Sequence, residues 1–171
     1  MSVWVGAPEE VIEFVAGRSI SRSDAATFRA LYAPLRRFAG AVGPWEVDPD
    51  DLVQDALVKV LRGGSLDRFD NPGAYLRRTI INLSYNHMRR RETGTRANAR
   101  YVAGTSGAAE AEYPSDLADL MSLEPAERAV LYLHDAYGYS FGEISAAIDT
   151  PEGTCRQLAS RARHRLRDTL T

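Results

Sequence analysis

The sequence has few of the residues that build metal centres and covalent catalysts. Its 171 residues include one cysteine, Cys155, and three histidines. A lone cysteine excludes a disulfide within the chain, and one cysteine with three scattered histidines lacks the ligand spacing of a structural zinc site. Cys155 falls on the apolar side of a predicted helix, where a small buried residue is expected rather than a reactive thiol. We therefore expect neither a metal nor a cofactor.

Long hydrophobic runs and strand patterns are also missing. No stretch approaches the roughly 20 apolar residues of a membrane-spanning helix, and no N-terminal signal pattern is present. No segment shows the alternation of polar and apolar residues that is typical of a strand. No nucleophile–base pair, carboxylate cluster with metal spacing or phosphate-binding glycine loop stands out, which argues against a hydrolase or a nuclease. We expect an all-α, cytoplasmic, non-enzymatic protein without membrane insertion.

The small net charge of −2 conceals four blocks of alternating sign. Residues 1–70 carry 8 basic and 11 acidic side chains, and residues 71–101 carry 7 and 1. Residues 102–150 carry 1 and 9, and residues 151–171 carry 5 and 2. Each basic block can meet phosphate, whereas each acidic block can meet a basic protein partner or repel stray DNA.

The most informative stretch is residues 150–167, TPEGTCRQLASRARHRLR. Thr150 and Pro151 suit the start of a helix. Ser140 and Glu143 form the capping box of a short helix before it, and Asp149 and Thr150 make the turn. Two helices with a tight turn, the second basic and amphipathic, are typical of a helix-turn-helix that enters the major groove of DNA. A basic surface on an ordinary helical bundle is the alternative. The apolar face of the second helix consists of Cys155, Leu158, Ala159, Ala162 and Leu166.

Two amphipathic helices are predicted before residue 63. Ser23 is the expected N-cap of the first, and Asp48 followed by Pro49 begins the second. The second helix presents two faces. Its core-facing residues are Val53, Leu57, Val60 and Leu61. Its polar stripe consists of Asp51, Gln54 and Asp55. We interpret the stripe either as a solvated acidic face or as a docking surface.

A third helix is predicted from Pro72 to about Arg91, after a loop at residues 63–70. Arginine, amide and aromatic side chains share one side of this helix, and such a set suits phosphates and bases. An exposed polar face without a ligand is the alternative. The members of this stripe are Arg78, Asn82, Tyr85, Asn86 and Arg89.

Residues 92–114 lack periodicity and are rich in glycine, alanine, threonine and serine, so they predict a flexible linker and a domain boundary. The expected organisation is a helical domain at residues 1–91, the linker at 92–114, and a helix-turn-helix domain at 115–171. In the second domain a helix begins at Pro125. Its predicted inward residues are Val130, Leu133 and Tyr137, and Gly138 is its predicted C-terminal cap.

Three blocks in this order resemble successive signatures of the extracytoplasmic-function sigma factors of bacterial RNA polymerase. The blocks are DPDDLVQDALVKVLR, NPGAYLRRTIINLSYNHMRRR and LEPAERAVLYLHDAYGYSFGEISAAIDTPEGTCRQLASRARHRLR. The similarity covers about residues 24–91 and 116–168. One departure is Asp149, which stands where the helix-turn-helix usually has glycine. Aspartate tolerates the left-handed backbone conformation better than most residues, so the turn is expected to survive.

The resemblance implies a role for each part. The first domain would be sigma region 2, whose residues Asp51, Gln54 and Asp55 match positions that dock on the β′ clamp helices of the polymerase. The helix at residues 72–91, with the loop before it, matches the part that opens and reads the −10 promoter element. The second domain would be region 4, which contacts the β flap and reads the −35 element with residues 153–164. The candidate contacts there are Thr154, Arg156, Gln157, Ser160 and Arg161.

The implied partners are core RNA polymerase and promoter DNA, and the resemblance admits an anti-sigma factor as a further partner. The linker would pass toward the active-site and RNA-exit channels of the polymerase. A free-standing helix-turn-helix regulator that binds DNA without polymerase is the alternative function, and co-purification with core polymerase distinguishes the two.

Overall fold

The computed structural model describes residues 20–101 and 119–169, and the side chains of all of these except residues 95–101. Every regular element in these ranges is helical, which confirms the predicted all-α fold class. The sequence also predicts a short helix at residues 9–17, EEVIEFVAG, and this segment lies outside the described residues, as do the linker residues 102–114. The N-terminal unit contains α1 (Arg22–Val42), α2 (Pro49–Arg62) and α3 (Pro72–Tyr101), and the C-terminal unit contains α4 (Pro125–Leu131), α5 (Phe141–Ile148) and α6 (Glu152–Thr169).

Helix α1 begins earlier in the chain than the sequence predicted. Its N-cap is Ser21, whose hydroxyl accepts a hydrogen bond of 3.0 Å from the Asp24 amide. The prediction of Ser23 as the cap is wrong, because the Ser23 hydroxyl instead donates to Asp67 at 3.0 Å in a contact between distant parts of the chain. Pro34 lies inside the helix, which continues past it to Val42.

Helix α2 follows its predicted start. The Asp48 side chain caps it by accepting from the Asp50 amide at 2.8 Å, and Pro49 occupies the first position. Of the four residues predicted to face the core, Leu61 is only partly buried. The other three are fully buried, and they are Val53, Leu57 and Val60.

Helix α3 is longer than predicted. It runs to Tyr101 instead of ending near Arg91, so the first part of the predicted linker is helical. Gly94 lies within this extension, and a single glycine costs a helix only about 1 kcal/mol. Thr93 is also compatible with the helix, because its hydroxyl donates to the Arg89 carbonyl one turn earlier at 2.8 Å.

The C-terminal unit contains the predicted helix-turn-helix. Ser140 and Glu143 form the capping box of α5, and Asp149 ends that helix in the left-handed conformation with φ 49° and ψ 54°. The expectation that aspartate would support this turn is confirmed. Before α5, Gly138 has φ +70°, as expected for a helix end.

The predicted inward orientation of Tyr137 is wrong. Val130 and Leu133 are buried as predicted, but Tyr137 is 49% exposed. The reason is a π-helical turn at Tyr132–Ala136, which directly succeeds α4. A π turn adds a residue to the helical turn and rotates the residues after it, so the α-helical spacing no longer holds there.

The two units share one hydrophobic core within the described residues. Buried residues of α1, α2 and α3 form a continuous cluster with buried residues of α4, α5 and α6. Helix α4 packs against α1 and α3, and α5 packs against α3. The C-terminal unit therefore packs on α3, the helix that carries the polar stripe of arginine, amide and aromatic residues.

Candidate DNA and polymerase interfaces

The outer face of α6 is polar and exposed. Cys155, Ala159 and Ala162 are buried on its inner side, which confirms the predicted apolar face. Because this inner side is buried, the opposite side of the helix faces solvent. The five candidate −35 contacts all lie there and are all exposed, namely Thr154, Arg156, Gln157, Ser160 and Arg161.

Two of the exposed α6 residues differ in how freely they can contact DNA. Arg156 forms an ion pair with Glu152 one turn earlier, and its guanidinium lies 5.3 Å from the centre of the Phe141 ring. Arg161 makes no side-chain hydrogen bond or ion pair within the described part of the chain. Arginine can bind guanine through two hydrogen bonds in the major groove, and an unengaged guanidinium does so without first losing a partner.

The acidic stripe of α2 is open to solvent. Asp51 and Asp55 are exposed and Gln54 is half-buried. Neither aspartate forms an ion pair within the described residues. The preceding acid differs, because Asp50 accepts from Arg36 at 2.9 Å and from the Tyr32 hydroxyl. Burial, with this hydrogen bond to Asp50, raises the pKa of Tyr32 to about 12. Asp50 thus stabilises the N-terminal unit, whereas the carboxylates of Asp51 and Asp55 remain open to solvent.

The polar stripe of α3 is divided between solvent and the C-terminal unit. Asn82 and Arg89 are exposed, and Arg89 donates to Asn86 one turn earlier. Asn86 and Arg89 also line an open surface cavity of about 540 Å³. Arg78 and Tyr85 lie on the same stripe but contact the C-terminal unit. The structure thus brings all five residues onto one side of α3, although not all of them are free.

Tyr85 is the more enclosed of the two residues that contact the C-terminal unit. Burial raises the pKa of its hydroxyl, and a hydrogen bond from the Ala126 backbone acts in the opposite direction. Arg78 donates to the Asp149 carbonyl in the turn of the helix-turn-helix and to the Thr150 hydroxyl at 3.4 Å. Both side chains would have to leave these contacts to bind DNA.

The loop before α3 is anchored by a residue that the sequence pattern did not reveal. Asp24 on α1 is 5% exposed, and its carboxylate accepts from the Ser65 hydroxyl at 2.8 Å and from the Leu66 amide at 2.7 Å. Leu66 is fully buried and begins a short 3-10 turn, Leu66–Arg68. Because the contact joins positions more than 40 residues apart, no local spacing could have predicted it.

Sequence reasoning also missed two buried charged residues of α4. Glu127 is 2% exposed and accepts from Arg165 at 3.1 Å, which ties α4 to α6. Arg128 is 4% exposed and donates to the Val42 carbonyl at the end of α1. The sequence did hold a signal for Arg128, since it is the only basic residue of the acidic block at residues 102–150.

Comparison with known families identifies both units. The profile of sigma-70 region 2 matches residues 27–93, and the profile of sigma-70 region 4 matches residues 120–166. No helix of the described residues is long and apolar enough to cross a membrane.

Individual relatives agree with the family profiles. The extracytoplasmic-function sigma factor SigM of Mycobacterium tuberculosis is 29% identical over 143 residues, which cover 81% of this chain and 72% of SigM. SigJ of the same species is 32% identical over 151 residues, covering 80% of this chain and 47% of SigJ. The solved structure of the sigma factor RpoE in complex with the anti-sigma factor NepR, from Bartonella quintana, matches with a TM-score of 0.61 at 25% identity. That match covers 88% of this chain and 98% of RpoE. The chain therefore belongs to the sigma-70 family and is an RNA polymerase sigma factor of the extracytoplasmic-function type.

Proposed function

We propose that three surfaces of this sigma factor divide the work of promoter recognition. The α2 stripe of Asp51, Gln54 and Asp55 binds the β′ clamp helices of core polymerase. The α3 stripe, with the loop at residues 63–70, captures and opens the −10 element. The exposed face of α6 reads the −35 element in the major groove, and the C-terminal unit contacts the β flap. The chain itself catalyses no reaction and acts in the cytoplasm, by favouring the open state of DNA.

The proposal rests on a contrast between charged side chains that have a partner within the chain and charged side chains that have none among the described residues. Asp50 and Arg165 are held by partners within the chain, whereas Asp51, Asp55 and Arg161 are exposed without such partners in the described residues. A charge that contributes nothing to folding remains available for binding. The exposed acids lie on α2, and the exposed arginine lies on α6. Two different macromolecular partners can therefore bind to separate helices.

An anti-sigma factor is part of the proposal as a regulatory partner. The similar sigma factor of Bartonella quintana was solved in complex with one. The same class of partner would act on this chain by competing for surfaces that polymerase and DNA need.

Charge reversal of the α2 stripe tests the docking surface. We expect Asp51→Arg with Asp55→Arg to abolish co-elution with core polymerase, because like charges across an interface are strongly unfavourable. Helical content should remain that of the unchanged protein, since both side chains are exposed and unpaired in the described part of the chain. Gel filtration of the mixture with core polymerase and circular dichroism measure the two effects.

The matched control reverses two other exposed acids. Asp70→Arg with Glu92→Arg changes the net charge equally but lies outside α2. This variant should co-elute with core polymerase as the unchanged chain does. Equal loss of binding in both double variants would mean that bulk charge, and not the α2 stripe, controls docking.

A further inference from the structure

Two contacts within the chain hold the guanidinium of Arg156. Glu152, one turn earlier on α6, accepts a hydrogen bond from Arg156 Nη2 and forms an ion pair with it. The guanidinium carbon also lies 5.3 Å from the centre of the Phe141 ring, within the distance of about 6 Å at which an aromatic face attracts a cation. Phe141 is the first residue of α5, so the two contacts of Arg156 come from both helices of the helix-turn-helix.

The Phe141 ring is itself held in place by the π-helical turn. His134, a residue of that turn, stacks on the ring with centroids 4.7 Å apart and planes 24° apart. His134 Nδ1 lies 2.7 Å from the Tyr139 carbonyl oxygen, which can only accept, so Nδ1 carries the hydrogen and the bond fixes the imidazole. Phe141 is also partly buried against the hydrophobic core. The ring therefore gives Arg156 a fixed surface.

The Glu152 carboxylate lies beside the start of α5. A β-carbon added to Gly142 would be 3.7 Å from Glu152 Oε2, which is an ordinary van der Waals distance. The other carboxylate oxygen, Oε1, accepts from Arg156. Both side chains stay accessible to a partner, since Arg156 is 62% exposed and Glu152 is 47% exposed. Exposed ion pairs contribute little to stability, so this pair orients Arg156 more than it stabilises the fold.

Arg156 keeps donors for DNA while it holds these contacts. A guanidinium has five N–H donors, and the bond to Glu152 uses a single one. Guanine presents two acceptors, N7 and O6, on its major-groove edge, and arginine is a side chain that binds both. A side chain that is ordered before binding loses less conformational freedom when it binds, which raises affinity for the one geometry it already has. Arg156 is therefore oriented for a base before DNA arrives.

Glu152 opposes DNA binding by its charge alone. Residues 151–171 carry five basic and two acidic side chains, and Glu152 is the acid at the N-terminal end of α6, the part of a recognition helix that meets the bases. A carboxylate there repels phosphate, so it lowers the affinity for any DNA sequence. Its contact with Arg156 adds a second effect that depends on the sequence. Removal of the carboxylate should therefore separate affinity from base preference.

We propose that Phe141 and Glu152 are positioning residues that orient Arg156 toward one guanine of the −35 element. The proposal rests on the proposed function of α6 and deepens it, because it assigns base selectivity to two residues outside the candidate −35 contacts. His134 acts behind Phe141 by keeping the ring in place. Arg156 touches the base, whereas Phe141 and Glu152 act through Arg156 and need no contact with DNA of their own.

Transcription from promoters with a randomised −35 element tests the proposal. Core RNA polymerase with this chain transcribes the library, in which a barcode in each transcript identifies its promoter, and sequencing gives the preference at every base pair. Arg156→Ala should lower the preference for guanine at one base pair roughly 5- to 100-fold, which locates the Arg156 contact. Phe141→Leu and Glu152→Gln should each lower it about two- to tenfold at that same base pair, because the guanidinium loses one contact that orders it. Phe141→Tyr keeps the ring and should retain the preference.

Double variants distinguish positioning from a purely structural role. In the Arg156→Ala background, neither Phe141→Leu nor Glu152→Gln should change the base preference further, whereas a structural loss would persist there. Glu152→Gln should also leave the use of scrambled −35 sequences undiminished, because it removes a charge that repels phosphate. Circular dichroism checks that each variant is folded, and the exposed Glu152→Gln keeps the test decisive if Phe141→Leu is not.

Asp135→Ala is the matched control. It breaks another exposed ion pair of α6, in which Arg163 donates to Asp135 at 3.0 Å, and Arg163 is not a candidate −35 contact. This variant should leave the preference at every base pair unchanged. An equal loss of guanine preference in Asp135→Ala would mean that any broken ion pair on α6 has this effect, and it would overturn the proposal.

The outcomes separate this proposal from the proposed function. Loss of guanine preference in Arg156→Ala, with no loss in Glu152→Gln or in a folded Phe141→Leu, would reject the positioning roles and support the function of α6. Equal effects of Phe141→Leu and Glu152→Gln with and without Arg156 would also reject the positioning roles alone. If neither Arg156→Ala nor Arg161→Ala changes the preference at any base pair, α6 does not read the −35 element, and both the function and the proposal fail.

Discussion

At the scale of single residues, buried charged groups position the surfaces that remain free. Asp24, Glu127 and Arg128 are each no more than 5% exposed, and each binds a group on another element. Asp24 holds the loop before α3, Glu127 joins α4 to α6, and Arg128 joins the two units. A buried polar group that loses its partner destabilises a protein by about 1–3 kcal/mol, so these residues are more costly to change than the exposed candidates.

The Asp24 anchor gives a residue-scale prediction. Asp24→Ala removes the acceptor of the buried Leu66 amide and should lower the free energy of unfolding by about 1–3 kcal/mol. Faster hydrogen exchange of the Leu66 amide should accompany the loss, because the loop is no longer tied to α1. Chemical denaturation and exchange measured by nuclear magnetic resonance report both.

Asp67→Ala is the control for Asp24. Asp67 also contacts a serine, Ser23, but this contact is exposed. Its removal should change stability by no more than about 0.5 kcal/mol. If both variants lose stability equally and the Leu66 amide stays protected in Asp24→Ala, Asp24 does not anchor the loop.

At the scale of elements, local sequence rules predicted several helix caps and buried faces correctly, and they failed at a π turn and at contacts between distant residues. The Asp48 cap, the Ser140–Glu143 capping box and the buried face of α6 followed from spacing alone. The rotation of Tyr137 did not, because a π turn alters the period without a sequence signature. The candidate site on α3 shows the same difference between what local spacing predicts and what tertiary packing decides. The side of α3 that its stripe occupies followed from helical periodicity, whereas its partial cover by α5 depends on tertiary packing.

The α3 stripe gives a prediction at the scale of an element. Asn82→Ala and Tyr85→Ala should leave core binding and closed-complex formation nearly normal while reducing permanganate-reactive, opened −10 DNA. Stacking of a base on an aromatic ring contributes about 1–3 kcal/mol, similar to the few kcal/mol needed to unstack one base. Loss of that stacking should therefore shift a balanced opening step.

Tyr85→Phe separates stacking from hydrogen bonding. It keeps the ring and loses the hydroxyl that contacts Ala126, so it should open promoters nearly as well as the unchanged protein. A promoter with a pre-melted bubble should restore much of the transcription lost by Tyr85→Ala. Poor binding of duplex promoter by Tyr85→Ala, with normal opening once bound, would instead make the stripe a duplex-binding surface.

At the scale of the whole molecule, the charge blocks acquire a structural meaning. The basic block at residues 71–101 lies largely on α3, and the described end of the acidic block at residues 102–150 packs on it through α4 and α5. The sequence indicated an external partner for each block, and it could not indicate that the two also meet each other. Hydrogen bonds between the two units are accepted by the backbone carbonyls of Val42, Ala147 and Asp149, which composition does not reveal.

Reconstituted transcription tests the central claim most directly. Core RNA polymerase with this chain would transcribe a library of genomic fragments, and sequencing of the RNA 5′ ends would locate the starts. The account predicts new starts, absent with core polymerase alone, that lie downstream of a shared two-part motif and disappear with the Asp51→Arg, Asp55→Arg variant. Identical starts with and without the chain would contradict it, as would a bound DNA motif from which no transcript begins.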